Sequence, residues 1–126
     1  MTADVLPSQA SLRILCLEDN PLIVLHLEHM IEDLGHVFAA ACESFSELKD
    51  RFSGLDVDCV LVDIDLADGR TGPEAAAWLF ARNVPAVFVT GQEQIAEAFR
   101  DLVVEVVPKP VAPKSLQRAL AKAATG

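Results

Sequence analysis

Two patterns of apolar residues alternate along this chain. Short, almost continuous apolar runs predict strands that are buried on both faces. Between these runs, apolar residues recur every three or four positions, which predicts helices with one face toward a core. The predicted strands are residues 12–17, 36–41, 57–62, 85–89 and 103–107. The predicted helices are residues 21–34, 44–52, 72–82, 92–99 and 115–123.

Residues at the boundaries of the first helix support this assignment. Asn20 is a favoured N-cap, Pro21 suits the first helical turn, and Gly35 is typical of a helix stop. Five apolar strands that alternate with five helices predict a doubly wound α/β fold, with a five-stranded parallel sheet in the middle of three layers. We expect one domain at residues 12–124, after an N-terminal tail at residues 1–11.

Length and composition narrow the class of protein. The chain has 126 residues, of which 52% are hydrophobic, enough for a core without disulfides. No apolar run is long enough to cross a bilayer, and the first ten residues lack the pattern of a secretory signal, so we expect a cytoplasmic protein. Cys16, Cys42 and Cys59 are predicted to be small buried hydrophobes in a reducing compartment.

The formal net charge of the chain is −9. Direct nucleic-acid binding needs clustered Lys and Arg, and the sequence has no such cluster. We therefore expect protein partners, with no direct contact to nucleic acid or membrane.

Polar side chains follow four of the predicted strands. Because the carboxyl ends of parallel strands share one edge of a sheet, these side chains are expected to meet. They are Glu18 and Asp19 after the first strand, Asp63 after the third, Thr90 after the fourth and Lys109 after the fifth. At about 4 Å and an effective dielectric near 20, each pair of like charges costs on the order of 4 kcal/mol. The acids therefore require positive charge, for which Mg²⁺ and the ammonium of Lys109 are suited.

The same arrangement favours phosphoryl chemistry at Asp63. A carboxylate is a nucleophile toward phosphorus when a metal ion neutralises charge on the transferred group. Thr90 can donate a hydrogen bond to a phosphate oxygen, and Gly91 leaves room for it.

In order and spacing, these residues resemble the receiver domain of two-component response regulators, and the resemblance covers nearly the whole chain. The motifs that carry it are Glu18-Asp19, Asp63, Thr90 and Lys109-Pro110. The resemblance implies a flavodoxin-like (βα)5 fold and a cis peptide before Pro110. It also implies that Asp63 accepts a phosphoryl group from a histidine kinase or a histidine phosphotransfer protein.

For the site itself, the resemblance implies Mg²⁺ held by Asp19, Asp63 and the backbone carbonyl of Asp65. Glu18 would act mainly through water, and Thr90 and Lys109 would contact the phosphoryl group. The expected function is a phosphorylation-dependent switch without an output domain, which catalyses only its own phosphorylation and dephosphorylation.

Three departures from the family pattern matter. Val106 replaces the aromatic residue that is common three positions before the lysine. The run 88–91, Phe-Val-Thr-Gly, partly matches a subgroup of stand-alone receivers marked by Phe-Ala-Thr-Gly. Asp65 adds a carboxylate near the phosphoryl group, which should alter its rate of hydrolysis.

Other functions compete with the switch. Asp63-Ile64-Asp65 is similar to the Asp-x-Asp motif of haloacid-dehalogenase-type phosphohydrolases, although those enzymes carry it on the first strand of a longer chain. A receiver that takes no phosphate and only binds partners is a further alternative. A flavodoxin-type cofactor site is excluded, because the loop after the first strand is acidic and would repel phosphate.

The first predicted helix carries more apolar residues than one core face needs. Leu22, Val24 and Leu25 are expected to broaden the core contact, and docking of a phosphodonor helix is the alternative. His26 and His29 lie off the apolar face and are expected to be solvated.

Overall fold

The computed structural model describes residues 11–125, in which strands and helices alternate as the sequence predicts. The strands are β1 (Arg13–Leu17), β2 (Val37–Cys42), β3 (Cys59–Val62), β4 (Ala86–Thr90) and β5 (Glu105–Pro108). The helices are α1 (Pro21–Asp33), α2 (Phe45–Arg51), α3 (Gly72–Ala81), α4 (Glu93–Ala98) and α5 (Pro113–Thr125). The predicted tail at residues 1–11 lies, except for Ser11, outside the described residues.

All five strands lie in one sheet in the order β2-β1-β3-β4-β5, and each neighbouring pair is parallel. This confirms the predicted flavodoxin-like fold. The chain builds outward from β1 on one side and from β3 on the other, so the topological switch point lies between these two strands. In such sheets a crevice opens beyond the carboxyl ends of the two central strands, and ligands bind there.

A hydrophobic core lies on each face of the sheet. On one face, α1 and α5 contribute Leu27, Ile31, Leu116 and Leu120 to a buried cluster. The opposite face is covered by α2, α3 and α4, and its cluster includes Leu48, Leu79 and Ala96. Both faces of β1, β3 and β4 are therefore buried, which explains their uninterrupted apolar sequences.

The three cysteines are free and buried, as predicted. Burial raises the pKa of Cys16 well above its ordinary value and that of Cys59 to about 12. Both thiols therefore stay protonated and act as small apolar core residues.

Capping residues set the predicted ends of two helices. The side chain of Asn20 accepts a hydrogen bond from the amide of Leu22 at 3.0 Å, and that of Ser44 accepts one from the amide of Glu47 at 3.0 Å. Gly35 follows α1 with φ of 88°, a backbone conformation that favours glycine.

Three elements differ from their predicted bounds by two residues, and one of them is β5, which begins at residue 105 rather than 103. β3 begins at residue 59 rather than 57, and the Asp58 carboxylate accepts a hydrogen bond from the amide of Arg13 at 2.8 Å. A side chain thus replaces a strand carbonyl at this point. α5 is longer than predicted at both ends and begins at Pro113, a residue favoured in the first helical turn.

No helix within residues 11–125 combines the length and apolar character required to cross a lipid bilayer.

The loop between β3 and α3 depends on a glycine at the start of the helix. The amide of Gly72 donates a hydrogen bond to the carbonyl of Ile64 at 3.0 Å. A Cβ at residue 72 would lie 2.1 Å from the carbonyl oxygen of Asp63 and 2.6 Å from the Cα of Ile64. Only glycine allows α3 to begin this close to the backbone of Asp63.

We expect Gly72→Ala to lower the free energy of unfolding by about 1–3 kcal/mol, because the added methyl group overlaps backbone that cannot rotate away. Urea denaturation measures the change. Gly54→Ala is the matched control, because a Cβ there meets nothing within 4 Å and the expected change is within about 0.5 kcal/mol. Equal stabilities of the two variants would contradict the steric argument.

Candidate functional site

Three carboxylates meet at the switch point of the sheet. Leu17 and Val62, the last residues of β1 and β3, are paired in register, so the residues after them are neighbours. One carboxylate oxygen from each of Glu18, Asp19 and Asp63 lies within 4.8 Å of the others. Glu18 is only 3% exposed, whereas Asp19 faces solvent.

The ammonium group of Lys109 bridges two of these acids. Its Nζ donates hydrogen bonds to Glu18 Oε1 at 2.8 Å and to Asp63 Oδ2 at 3.0 Å. The backbone amide of Lys109 donates to the carbonyl of Thr90 at 3.0 Å, and the peptide bond to Pro110 is cis. Lys109 thus enters the pocket from the end of β5 and offsets part of the negative charge there.

Burial and charge oppose each other in this pocket. Burial raises the pKa of Glu18, although hydrogen bonds from Lys109 and from the amide of Asn20 oppose the rise. Burial also disfavours the charge of Lys109, but its hydrogen bonds to Glu18 and Asp63 prevail and raise its pKa. The lysine is therefore charged at neutral pH, and the buried carboxylate of Glu18 is the member of the pocket whose ionisation is costly.

Thr90 is the last residue of β4 and is fully buried. Its Oγ1 accepts a hydrogen bond from the amide of Gln92 at 2.8 Å. Because a hydroxyl also carries one proton, Thr90 keeps a donor for another group. It pairs with Pro108 in the sheet register, which places it beside Lys109 at the same sheet edge.

Three side chains at this edge form a closed polar cluster, the Asp65–Arg70–Gln92 clasp. Arg70 Nε donates to Asp65 Oδ1 at 2.8 Å, and Arg70 Nη2 donates to Gln92 Oε1 at 2.9 Å. The side-chain amide of Gln92 donates a hydrogen bond to Asp65 Oδ2 and so closes the cluster. Chiefly because of the hydrogen bond from Arg70, the pKa of Asp65 lies below its ordinary value. The clasp joins the loop after Asp63 to the loop after Thr90.

The other side of the β3–α3 loop is attached to α2. The carboxylate of Asp68 accepts hydrogen bonds from the amides of Phe45 and Ser46 at 3.2 and 3.1 Å, and from the hydroxyl of Thr71 at 2.7 Å. Asp68 thereby satisfies donors in the first turn of α2, which a helix cannot satisfy by itself. The phosphoacceptor loop predicted from the sequence is thus held on both sides.

The structure brings Glu18, Asp19, Asp63 and Lys109 together and places Thr90 at the neighbouring strand end. The predicted role of the Asp65 carbonyl stays a prediction. Arg70, Gln92 and Asp68 were not singled out from the sequence. The extra carboxylate at Asp65 was the available signal, since an acid so close to others requires a cation nearby.

The surface of α1 differs from the favoured expectation. Leu22 and Leu25 are 75% and 50% exposed, so they do not broaden the core contact, whereas Val24 is half-buried. The core face of α1 is formed by Leu27, Met30 and Ile31, and the two leucines lie outside it. His26 and His29 are exposed, as predicted.

The carboxylate oxygens gathered at this site are suitable ligands for Mg²⁺. Carboxylate oxygens are the ligands that Mg²⁺ prefers in proteins, and three of them converge here. The one ammonium group in contact with two of them does not balance their three charges.

Comparison with curated proteins identifies a relative that matches most of this chain. The chain is 31% identical over 121 residues to the phyllosphere-induced regulator PhyR of Methylorubrum extorquens, a match that covers 94% of this chain and 45% of the relative. The chain thus spans a little under half the length of this curated relative.

Solved structures of PhyR proteins have the same fold as this chain. The receiver domain of Erythrobacter litoralis PhyR superposes with a TM-score of 0.81 at 28% identity, covering 94% of this chain and 93% of that one. The anti-anti-sigma factor PhyR from Bartonella quintana gives a TM-score of 0.82 at 25% identity, covering 92% of this chain and 48% of that one.

The family model of the response regulator receiver domain matches residues 14–121. These residues include the acids, Thr90 and the bridging Lys109, so sequence, fold and pocket agree. The chain belongs to the response regulator receiver domain family.

Proposed function

We propose that this chain is a cytoplasmic switch that accepts one phosphoryl group on Asp63 in a Mg²⁺-dependent reaction. The donor is a histidine kinase or a histidine phosphotransfer protein, and the signal leaves through contacts with another protein. The observation that carries the proposal is the ammonium of Lys109 between Glu18 and Asp63, within a cluster of three acids.

Each residue of the pocket has a place in this reaction. A carboxylate oxygen of Asp63 attacks phosphorus as the bond from phosphorus to the donor nitrogen breaks. Lys109, which already bonds Asp63, donates to a phosphoryl oxygen, and Thr90 supplies its unused hydroxyl proton. Glu18, Asp19 and Asp63 would hold Mg²⁺, which neutralises charge on the transferred group. Apart from forming and losing its own aspartyl phosphate, the chain has no catalytic turnover.

The exposed apolar residues of α1 form a suitable docking surface for the phosphodonor protein. Leu22 and Leu25 lie within two turns of Asp19, at the N-terminal end of the helix that borders the pocket. An exposed apolar pair on one helix is typical of a surface that packs against another helix. We propose that the phosphodonor helix docks there.

The downstream partner is proposed from a likeness. The Bartonella quintana relative is described as an anti-anti-sigma factor, and this chain is 25% identical to it over 48% of its length. We propose an anti-sigma factor as the protein target of this chain. Calorimetric titration of such a factor from the same organism, with and without beryllium fluoride and Mg²⁺ to mimic the phosphoryl group, tests this partner.

Incubation with acetyl phosphate and Mg²⁺ should add one phosphoryl group per chain, measured by intact-mass spectrometry. Asp63→Asn should abolish the addition, because the amide is not a nucleophile for phosphorus. Asp65→Asn is the matched control in the same loop and should retain it.

An unlabelled wild-type chain would favour a receiver that only binds partners. Many turnovers of p-nitrophenyl phosphate per chain, lost in Asp65→Asn, would instead favour the Asp-x-Asp phosphohydrolase.

Glu18→Gln should gain stability relative to the wild type as pH rises from 5 to 8 without Mg²⁺, by about 1–2 kcal/mol, because it removes a buried charge and Lys109 stays paired with Asp63. The folded-state pKa of Glu18 is raised, so the stability of the wild type falls as pH rises through that value. The advantage of the variant should therefore shrink toward pH 5.

Thermal unfolding measures both effects, together with the stabilisation by Mg²⁺, which should be larger in the wild type. Glu32→Gln, on the exposed face of α1, is the control and should match the wild type throughout. A variant that loses stability relative to the wild type between pH 5 and pH 8 would show that the ion pair with Lys109 outweighs the cost of burial.

A further inference from the structure

Negative charge exceeds positive charge at the phosphoacceptor pocket. The pocket and the clasp together hold four carboxylates, those of Glu18, Asp19, Asp63 and Asp65. Two basic side chains, Lys109 and Arg70, face them, and one bound Mg²⁺ would balance the remaining two charges. Removing either basic group would leave the loaded pocket negative toward an incoming phosphate, which is itself an anion.

Arg70 differs from Lys109 in where its charge is placed. Lys109 lies inside the pocket, with Nζ between Glu18 and Asp63. The guanidinium of Arg70 lies at the mouth, where its side chain and that of Asp65 are each about half exposed (55% and 51%). Asp65 is two residues from Asp63, so their Cα atoms are within about 7 Å. An uncompensated charge on Asp65 would therefore act directly on the phosphodonor.

The hydrogen bonds of the clasp fix the guanidinium group of Arg70 against the carboxylate of Asp65. Arg70 donates to both oxygens of Asp65, at 2.8 and 3.4 Å, and to Gln92 Oε1 at 2.9 Å. The planar guanidinium thus has three directed contacts rather than one mobile ion pair, and Arg is suited to such a fork. Through the backbone amide of Gln92, the clasp also contacts the hydroxyl of Thr90.

We propose that Arg70 is a positioning residue for phosphoryl transfer: it holds Asp65 in the clasp and offsets its charge, so that an anionic phosphodonor can approach Asp63. This inference rests on the proposed function. In this inference Arg70 does not contact the phosphoryl group. Its role therefore differs from that of Lys109, which contacts the phosphoryl group directly.

Arg70→Ala should lower the rate constant for phosphorylation by acetyl phosphate, at saturating Mg²⁺ and low salt, by about three- to tenfold. The loss should shrink in 0.5 M salt, because exposed charges are screened. Arg82→Ala removes the same charge from the opposite end of α3 and should leave the rate unchanged. Arg70→Ala/Asp65→Asn should recover the wild-type rate, since the charge to be offset is gone.

The affinity for Mg²⁺ should change in the opposite direction to the rate of phosphorylation. Calorimetric titration without any phosphodonor should show that Arg70→Ala binds Mg²⁺ more tightly than the wild type, because the site has become more negative. A site that was merely distorted would bind Mg²⁺ more weakly. Gln92→Ala, which opens the clasp but keeps both charges, should slow phosphorylation less than Arg70→Ala.

A wild-type rate in Arg70→Ala would overturn the inference, as would a loss that persists in high salt or in the double variant. An equal loss in Gln92→Ala would also overturn it, by assigning the effect to the link between the loops. Failure of the wild type to be labelled would instead refute the proposed function, and the Mg²⁺ titration would still decide whether Arg70 offsets the charge of Asp65.

Discussion

The ammonium of Lys109 between Glu18 and Asp63 is the interaction on which this site depends. Acids gathered at one sheet edge repel one another, and burial of Glu18 raises the cost of its charge. Lys109 lowers that cost from the end of β5, at 2.8 and 3.0 Å from its two partners. The fold supplies the geometry, because the residues that meet here are 46 and 91 positions apart in sequence.

Strand ends could be predicted from the sequence because a parallel sheet leaves little freedom. Once five apolar runs were recognised, the residues after them had to share one edge, and the acids and Lys109 followed. Boundaries were less certain, since Asp58 lies just before β3 and accepts a hydrogen bond from the amide of Arg13 through its side chain, which no apolar pattern shows. Exposure of Leu22 and Leu25 was also missed, because periodicity identifies apolar residues but does not show which of them the core has room for.

The clasp could not be predicted for a different reason. Arg70 and Gln92 are 22 positions apart, and Gln92 and Asp65 are 27 apart, on loops with no periodicity. Their contacts follow from the way two loops are brought together by β3 and β4. Asp68 is similar, since its partners on α2 precede it by 22 and 23 residues. Loop–loop contacts of this kind determine how the site is held, whereas strand-end residues determine its chemistry.

The exposure of the clasp has a consequence for how receivers of this kind diversify. All three of its side chains lie at the rim, outside both hydrophobic clusters, so exchanging them leaves the packing of the sheet untouched. If Arg70 affects phosphoryl transfer as proposed, the rate of that transfer can change in evolution without a change in the stability of the core. Related receivers that share every buried residue would then differ in their rates of phosphorylation through replacements confined to the loops after β3 and β4.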